Sequence, residues 1–266
     1  MSENINSQED RILMVVPTMG ERPEFLIQTL ESIKSQRSPI DIVMIFPLSN
    51  DKTMEMAKKY DATVVEDPGG LSAAVNAGIA QAKDEHKYIG WIGDDDLLRP
   101  DSVETGVRSL EENPKAVLAY GYCDYIDDKG NVLFTNRAGK IAPWLMTWGP
   151  NLVPCPGIVF RKSTLIEAGQ FDENNKYSMD LEMLLRLRKM GKFQNTKKTL
   201  AAFRWHSTSL SVVNRSLAQK EIEMVKRKHL AQPFRSFAPL WEPFIRKASA
   251  VAASRVSKIA AKQSQP

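Results

Sequence analysis

Short apolar runs alternate with amphipathic stretches along the first half of the chain. Ile12 to Val16 is continuously apolar and closed by Pro17, the pattern of a strand buried on both faces. Pro23 then opens a helix on which Leu26, Leu30 and Ile33 recur at helical spacing. The same alternation predicts strands at 42–46, 63–65 and 88–92. Helices are predicted at about 52–60 and 71–83, and from Pro100 through Val103, Val107 and Leu110. Strand and helix in turn, with short loops between, predict an α/β fold built on a mostly parallel, Rossmann-like central sheet.

The pattern changes after Ala116. A strand at 117–122 and the turn Asp127-Asp128-Lys129-Gly130 leading into 132–134 predict an antiparallel hairpin. The segment 142–156 is rich in Pro, Trp and Gly without a period, and reads either as an active-site loop or as a plain surface excursion. A strand at 157–160, helices at 162–168 and 180–190, the latter stopped by Gly191, and a strand at 200–205 complete the body. Two further helices are predicted, from about 214 to 230 and from Pro243 to about 262.

Composition adds limits. A chain of 266 residues with 42% hydrophobic and 26% charged content suits one core with appendages. Its net charge of +4 is unevenly spread, because from Arg215 onward there are 11 basic residues against 3 acidic. Residues 1–10 form a polar leader without the pattern of a signal peptide, and no stretch approaches the roughly 20 apolar residues of a membrane span. Two cysteines do not make a disulfide framework. The expectation is a cytoplasmic protein without a nucleic-acid partner. In the tail, Trp241, Phe244, Ile245, Ala248, Ala252, Val256 and Ile259 fall on one helical stripe beside lysines and arginines. Such a helix lies on anionic membrane or docks on the body.

The strongest chemical signal is Gly93-Asp94-Asp95-Asp96, directly after the strand ending near Ile92. Ligands of open parallel sheets bind at that edge. Adjacent carboxylates repel, and a hard divalent ion relieves the repulsion while substrate phosphates and water complete its shell; Mg²⁺ or Mn²⁺ suits such oxygen ligands. An extended backbone here would send Asp94 and Asp96 to one side and Asp95 to the other. Gly69 to Gly78 is a glycine pair feeding a helix of small residues, read as an anion-binding turn or simply as a tight turn. Asp180 and Glu182 open a helix, where acidic residues often serve as caps. His206 lies just past the last strand, a place where histidines are commonly structural.

Taken in order, Pro17-Thr18 with Arg22, the Gly69–Gly78 string, Asp95-Asp96-Leu97-Leu98, Gly169-Gln170-Phe171-Asp172 followed by Asp180, and His206 resemble the family 2 glycosyltransferases with the GT-A fold. The resemblance covers about 12–211. It implies a nucleotide-diphosphate sugar donor, a metal held through an Asp-x-Asp element, an acidic general base, inversion at the anomeric carbon, and a saccharide or lipid-linked hydroxyl acceptor in polysaccharide or glycolipid assembly. Carried over, Asp180 is the base. Pro17, Thr18, Arg22, Phe46, Gly70, Leu71, Asn76, Asp94 and Asp95 bind the donor, while Asp94, Asp96 and His206 hold the metal. Residues 11–115 then form the donor half, 116–213 the acceptor and catalytic half, and 214–266 a basic helical tail. Two positions depart from the family pattern. Phe46 and Pro47 stand where a base-reading aspartate pair is usual, so apolar stacking on the nucleobase is expected instead. Gly93 stands where the first acidic residue is usual, with Asp94 acting in its stead. A sugar-phosphate nucleotidyltransferase is the first rival, although Met19-Gly20-Glu21-Arg22 lacks a Gly-rich basic phosphate loop. A non-catalytic saccharide- or partner-binding relative is the second.

Overall fold

The computed structural model describes residues 11–205 and 215–263, without side chains at 215, 252, 253 and 255–263. A nine-stranded sheet runs through the body in the order β3-β2-β1-β4-β8-β6-β9-β5, with β7 paired to β6. Its strands are β1 (Arg11–Pro17), β2 (Ile40–Phe46), β3 (Thr63–Glu66), β4 (His86–Trp91), β5 (Leu97–Leu98), β6 (Ala116–Ile126), β7 (Val132–Asn136), β8 (Val159–Arg161) and β9 (Lys192–Arg204). β1 to β4, β6 and β9 run one way, whereas β5, β7 and β8 oppose them. The donor and acceptor halves expected from the sequence therefore share one hydrogen-bonded sheet.

The helices of the body are α1 (Pro23–Lys34), α2 (Asp51–Lys59), α3 (Leu71–Ile79), α4 (Ser102–Glu111), α5 (Ala142–Trp148), α6 (Lys162–Ala168) and α7 (Met179–Met190). The tail adds α8 (Arg215–His229) and α9 (Phe234–Gln263). Strand periodicity divides β1 between two cores. Ile12, Met14 and Val16 join Leu26, Leu30 and Ile33 of α1 on one face. Leu13 and Val15 join Val75 of α3 and Leu184 of α7 on the other. Gly78 lets α3 lie close on the sheet, since a β-carbon there would sit 2.4 Å from Val15 Cγ1.

Three expectations need correction. The first part of the aperiodic segment 142–156 is the helix α5, opened by Pro143 in its first turn and carrying buried Ala142, Met146 and Thr147. The last strand begins at Lys192 rather than at 200, because parallel pairing with β6 holds a polar stretch that has no apolar run of its own. β5, only two residues long, gave no periodic signal.

Candidate functional site

The parallel strands β1, β2, β3 and β4 all end on one edge, and the acidic run follows β4 there. The run is a turn, not an extended segment: the Asp96 amide donates to the Gly93 carbonyl at 3.3 Å. The expected sorting of Asp94 and Asp96 to one side therefore does not hold. Arg22, just before α1, instead joins Asp94 and Asp95, its Nη2 lying 2.9 Å from Asp94 and its Nη1 2.6 Å from Asp95. The Thr18 hydroxyl donates to Asp94 Oδ2 at 2.6 Å and accepts from the Gly20 amide. Thr18 follows Pro17 at the end of β1, so the Pro17-Thr18-Arg22 group and the acidic turn form one hydrogen-bonded unit.

Asp96 turns inward. Its Oδ1 accepts from the Arg204 amide at 3.0 Å, and the Thr29 hydroxyl donates to its carbonyl. The Arg204 side chain, 1% exposed, donates to the carbonyls of Asp95, Asp127 and Asp128 and to Gln28 Oε1, and lies 4.2 Å from the centre of the Phe25 ring. Sequence reasoning passed over Arg204; a charged residue ending an apolar strand was the available signal. Burial raises the Asp96 carboxyl well above the ordinary carboxylate range, and the charge of Asp95 adds to this against the opposing Arg204 amide. Burial likewise raises Asp94, opposed by Thr18 and Arg22.

Three carboxylates are the ligand chemistry of a hard divalent cation. A β-carbon on Gly93 would sit 3.0 Å from Asp95 Oδ1 and 3.4 Å from Asp96 Oδ2, so the glycine lets those two carboxylates come close to the backbone of the turn. Among the described residues, however, the only set of three acidic, His or Cys ligands within 4.8 Å of one another is Asp41, Glu85 and His86. That group lies at the opposite, amino-terminal edge of the sheet. Its atoms are already committed: the Lys83 amide donates to His86 Nδ1, His86 Nε2 meets Asp41 Oδ2 at 2.8 Å, and Arg11 pairs with Asp41. The Arg11 bond, with that of His86, holds the Asp41 carboxyl at about 2 despite its partial burial. The group is a staple between β1, β2 and β4.

Asp180 lies in the first turn of α7, and its charge and that of Asp96 both act on Cys155 and Tyr125. The Cys155 thiol is pushed up by burial and then by the charges of both Asp180 and Asp96. The Tyr125 hydroxyl is raised by burial and by Cys123, Asp96 and Asp180. Burial raises the Asp180 carboxyl itself, opposed by the amides of Leu181 and of Asp180. Glu182 is not a competitor. It is buried on the other side of α7, bonded to Arg186 at 2.8 Å and to His229 at 3.2 Å, and these partners hold its carboxyl low although burial acts the other way.

Other expected donor contacts divide. Gly70 precedes α3 with φ 91°, and nothing lies within 4 Å of the place a β-carbon would take, so this turn is open. Leu71 is half-buried against the core. Two residues do not face the donor. Phe46 is fully buried among Met44, Leu26 and Leu30, because it shares strand parity with Ile42 and Met44. Its ring is therefore not available for stacking on a nucleobase. Asn76 is committed to protein: its Nδ2 donates to the Phe171 carbonyl at 3.0 Å and its Oδ1 accepts the Phe171 amide at 2.8 Å. Ser72 donates to the Asn175 carbonyl. α3 thus holds the segment that leads to Asp180. His206 lies outside the described residues.

A mostly parallel α/β sheet with an acidic turn at the carboxyl ends of its parallel strands defines the class of fold. The chain belongs to glycosyl transferase family 2, whose profile matches residues 14–164. It is 28% identical over 183 residues to an uncharacterized glycosyltransferase of Rickettsia bellii, an alignment covering 63% of this chain and 26% of that protein. To the amylovoran biosynthesis glycosyltransferase AmsE of Erwinia amylovora it is 25% identical over 182 residues, covering 64% of this chain and 66% of that one. The chain spans 26% to 31% of the length of the three rickettsial relatives it matches. The fold is that of TarS residues 1–349 from S. aureus in complex with UDP-GlcNAc, with a TM-score of 0.65 at 13% identity over 86% of this chain and 70% of that one. No described helix is long and apolar enough to cross a membrane.

Proposed function

We propose that the protein transfers a sugar from a nucleotide-diphosphate donor to a hydroxyl acceptor, with inversion, in polysaccharide or glycolipid assembly. The observation that carries this reading is the acidic turn at the carboxyl ends of the parallel strands of a family 2 chain, held there by Thr18 and Arg22. A donor at the acidic edge would present its anomeric carbon toward α7. Asp180 accepts the acceptor's hydroxyl proton as that oxygen bonds to the anomeric carbon. The bond from that carbon to the diphosphate oxygen breaks, and the diphosphate leaves with the electron pair. Inversion follows from attack opposite the leaving group. Arg22 would supply positive charge and the open Gly70 turn, at the amino end of α3, room for the diphosphate to approach. Asp94, Asp95 and Asp96 would hold Mn²⁺ or Mg²⁺, with His206 as a further ligand, and such an ion offsets charge on a departing diphosphate. Uridine diphosphate sugars are the first donors to test, because TarS is a fold neighbour solved with UDP-GlcNAc and UDP.

Incubation with a panel of nucleotide sugars and Mn²⁺, followed by assay of released nucleotide, tests the reading. Release is expected with one donor class and should disappear in excess chelator and in Asp96→Asn. Full turnover in chelator would remove the metal, and no release from any donor would remove the activity.

The acceptor side of the proposal includes a membrane surface. α9 turns Trp241 and Ile245 of the expected stripe inward, toward Trp148, Lys226 and Leu230, and leaves Phe244 of that stripe exposed, so the stripe is split between two faces. Phe237, Leu240 and Val251 of α9 are exposed with Phe244, as are Trp144 and Ile141 of the α5 region. Ala252, Val256 and Ile259 lie outside the described side chains. Exposed Lys247 falls beside this face at helical spacing. An apolar strip with a cation beside it suits anionic lipid, where a lipid-linked acceptor would be met.

A further inference from the structure

The segment that leads into Asp180 is held at two places, and the second lies in the tail. Glu221 of α8 accepts four hydrogen bonds from three consecutive residues. Its Oε2 takes the Lys176 amide at 3.0 Å, and its Oε1 takes the Tyr177 amide, the Ser178 amide and the Ser178 hydroxyl, each at 2.8 Å. Ser178 is the cap residue of α7, yet its side chain makes no bond to the helix it caps. It donates to Glu221 instead. A carboxylate from a different helix therefore does the work usually done by a local cap, satisfying amides that precede the first turn and placing negative charge at the positive end of α7. Asp180 lies two residues beyond Ser178 on that turn. The backbone that carries its carboxylate is thus fixed just ahead of it, at 176–178.

We infer that Glu221 is a positioning residue for the transfer reaction, fixing Asp180 through the backbone of 176–178 and making α8 part of the catalytic architecture. The inference rests on the reading of Asp180 as general base. Positioning errors of about 1 Å cost rate rather than donor affinity. Asn76 and Ser72 hold the earlier part of the same segment from α3, so losing Glu221 should loosen α7's first turn without releasing the whole segment.

The test uses the full chain, with kcat, donor Kd and melting temperature measured for Glu221→Ala, Glu221→Gln, Asp180→Asn and the double variant Glu221→Ala/Asp180→Asn. Glu221→Ala is expected to lower kcat by ~10-fold or more while donor Kd stays within ~3-fold. Glu221→Gln keeps an oxygen for Tyr177 and Ser178 but presents an NH₂ to the Lys176 amide, so its kcat should fall between those of wild type and Glu221→Ala. It carries the measurement if the alanine variant does not fold. In the double variant the loss should be no greater than in Asp180→Asn alone, because two residues acting through one step are not additive. A lower melting temperature with unchanged kcat per folded molecule would make Glu221 a brace only and overturn the inference, as would additive losses. Near wild-type turnover in Asp180→Asn alone would overturn the base assignment, and this inference with it. Loss in that variant beside an unaffected Glu221→Ala would overturn this inference alone.

Discussion

Asn76 and Phe171 exchange a pair of hydrogen bonds across 95 residues of sequence, carbonyl to amide in each direction, and so bind α3 to the segment before Asp180. The side-chain amide is also within 3.3 Å of Glu173 Oε1, and Asn76 is buried. Asn76→Ala leaves the Phe171 amide and carbonyl without these partners, at about 1–3 kcal/mol for each buried group left unsatisfied. The expected result is a lower melting temperature and reduced kcat with donor affinity within a few fold of wild type, read by thermal denaturation and calorimetric titration. A large loss of donor affinity in a stable variant would return Asn76 to the donor site.

Lys226 gives a pH dependence with an unusual sign. Burial lowers its ammonium to about 8, partly opposed by the charges of Glu223 and Glu242, while its Nζ donates to the Gly149 carbonyl. The folded value lies below the ordinary lysine value of 10.5, so between these the unfolded chain binds more protons than the folded one. The cost of burying the charge is fully present below about 8 and is relieved as pH rises toward 10.5. Lys226→Met should remove this contribution. The melting-temperature difference between Lys226→Met and wild type is therefore expected to narrow from pH 7 to pH 9.5, and a difference that stays constant would count against it.

Much of the fold was legible because its strands are continuous apolar runs and its helices carry one apolar face. The first half of β9 was not, since Lys192, Gln194, Asn195 and Lys198 carry no periodic signal and only pairing with β6 makes them a strand. The acidic turn was legible as a local cluster. Asn76 and Glu221 were not legible as clamps, because what they do depends on partners 95 and 43 to 45 residues away. Phe46 was placed at the donor by its position in the family pattern alone. Period-2 parity with Ile42 and Met44 in the sequence already pointed its ring into the core.

The exposed strip on α9 makes a separate prediction. Full-length protein is expected to sediment with vesicles containing anionic lipid and to remain in solution with neutral ones. Leu240→Asp/Phe244→Asp should lose that pelleting, since both side chains are exposed, 68% and 72%, and touch no core. Melting temperature should be unchanged in the variant. Equal pelleting of variant and wild type would remove the membrane reading, and concentration-dependent dimerisation lost in the variant would assign the strip to a second copy.

Asp180 and Glu182 lie two residues apart in the first turns of α7 and face different surroundings, which lets one pair of substitutions separate catalysis from stability. Glu182 meets Arg186 and His229 in the interior and has no opening to the cleft. Glu182→Gln removes the charge that Arg186 pairs with, and should lower stability by about 1–3 kcal/mol while leaving kcat within a few fold. Asp180→Asn keeps the shape, the amide contacts and the capping ability of the side chain, and removes only proton acceptance. It should preserve donor affinity and stability and lower kcat by roughly 10² or more. The pH profile gives a second readout. Burial raises the Asp180 carboxyl above the ordinary aspartate value of 3.8, helped by the charge of Glu221 and opposed by two backbone amides. Cys155 and Tyr125, the other titratable groups that feel its charge, are raised and so neutral near pH 7. A base must be ionised to accept a proton, so kcat should fall as pH drops through that raised value. The acid limb in wild type is therefore expected above 3.8 and should be absent from the residual activity of Asp180→Asn. An acid limb that survives the substitution, with turnover near wild type, would remove Asp180 from the reaction.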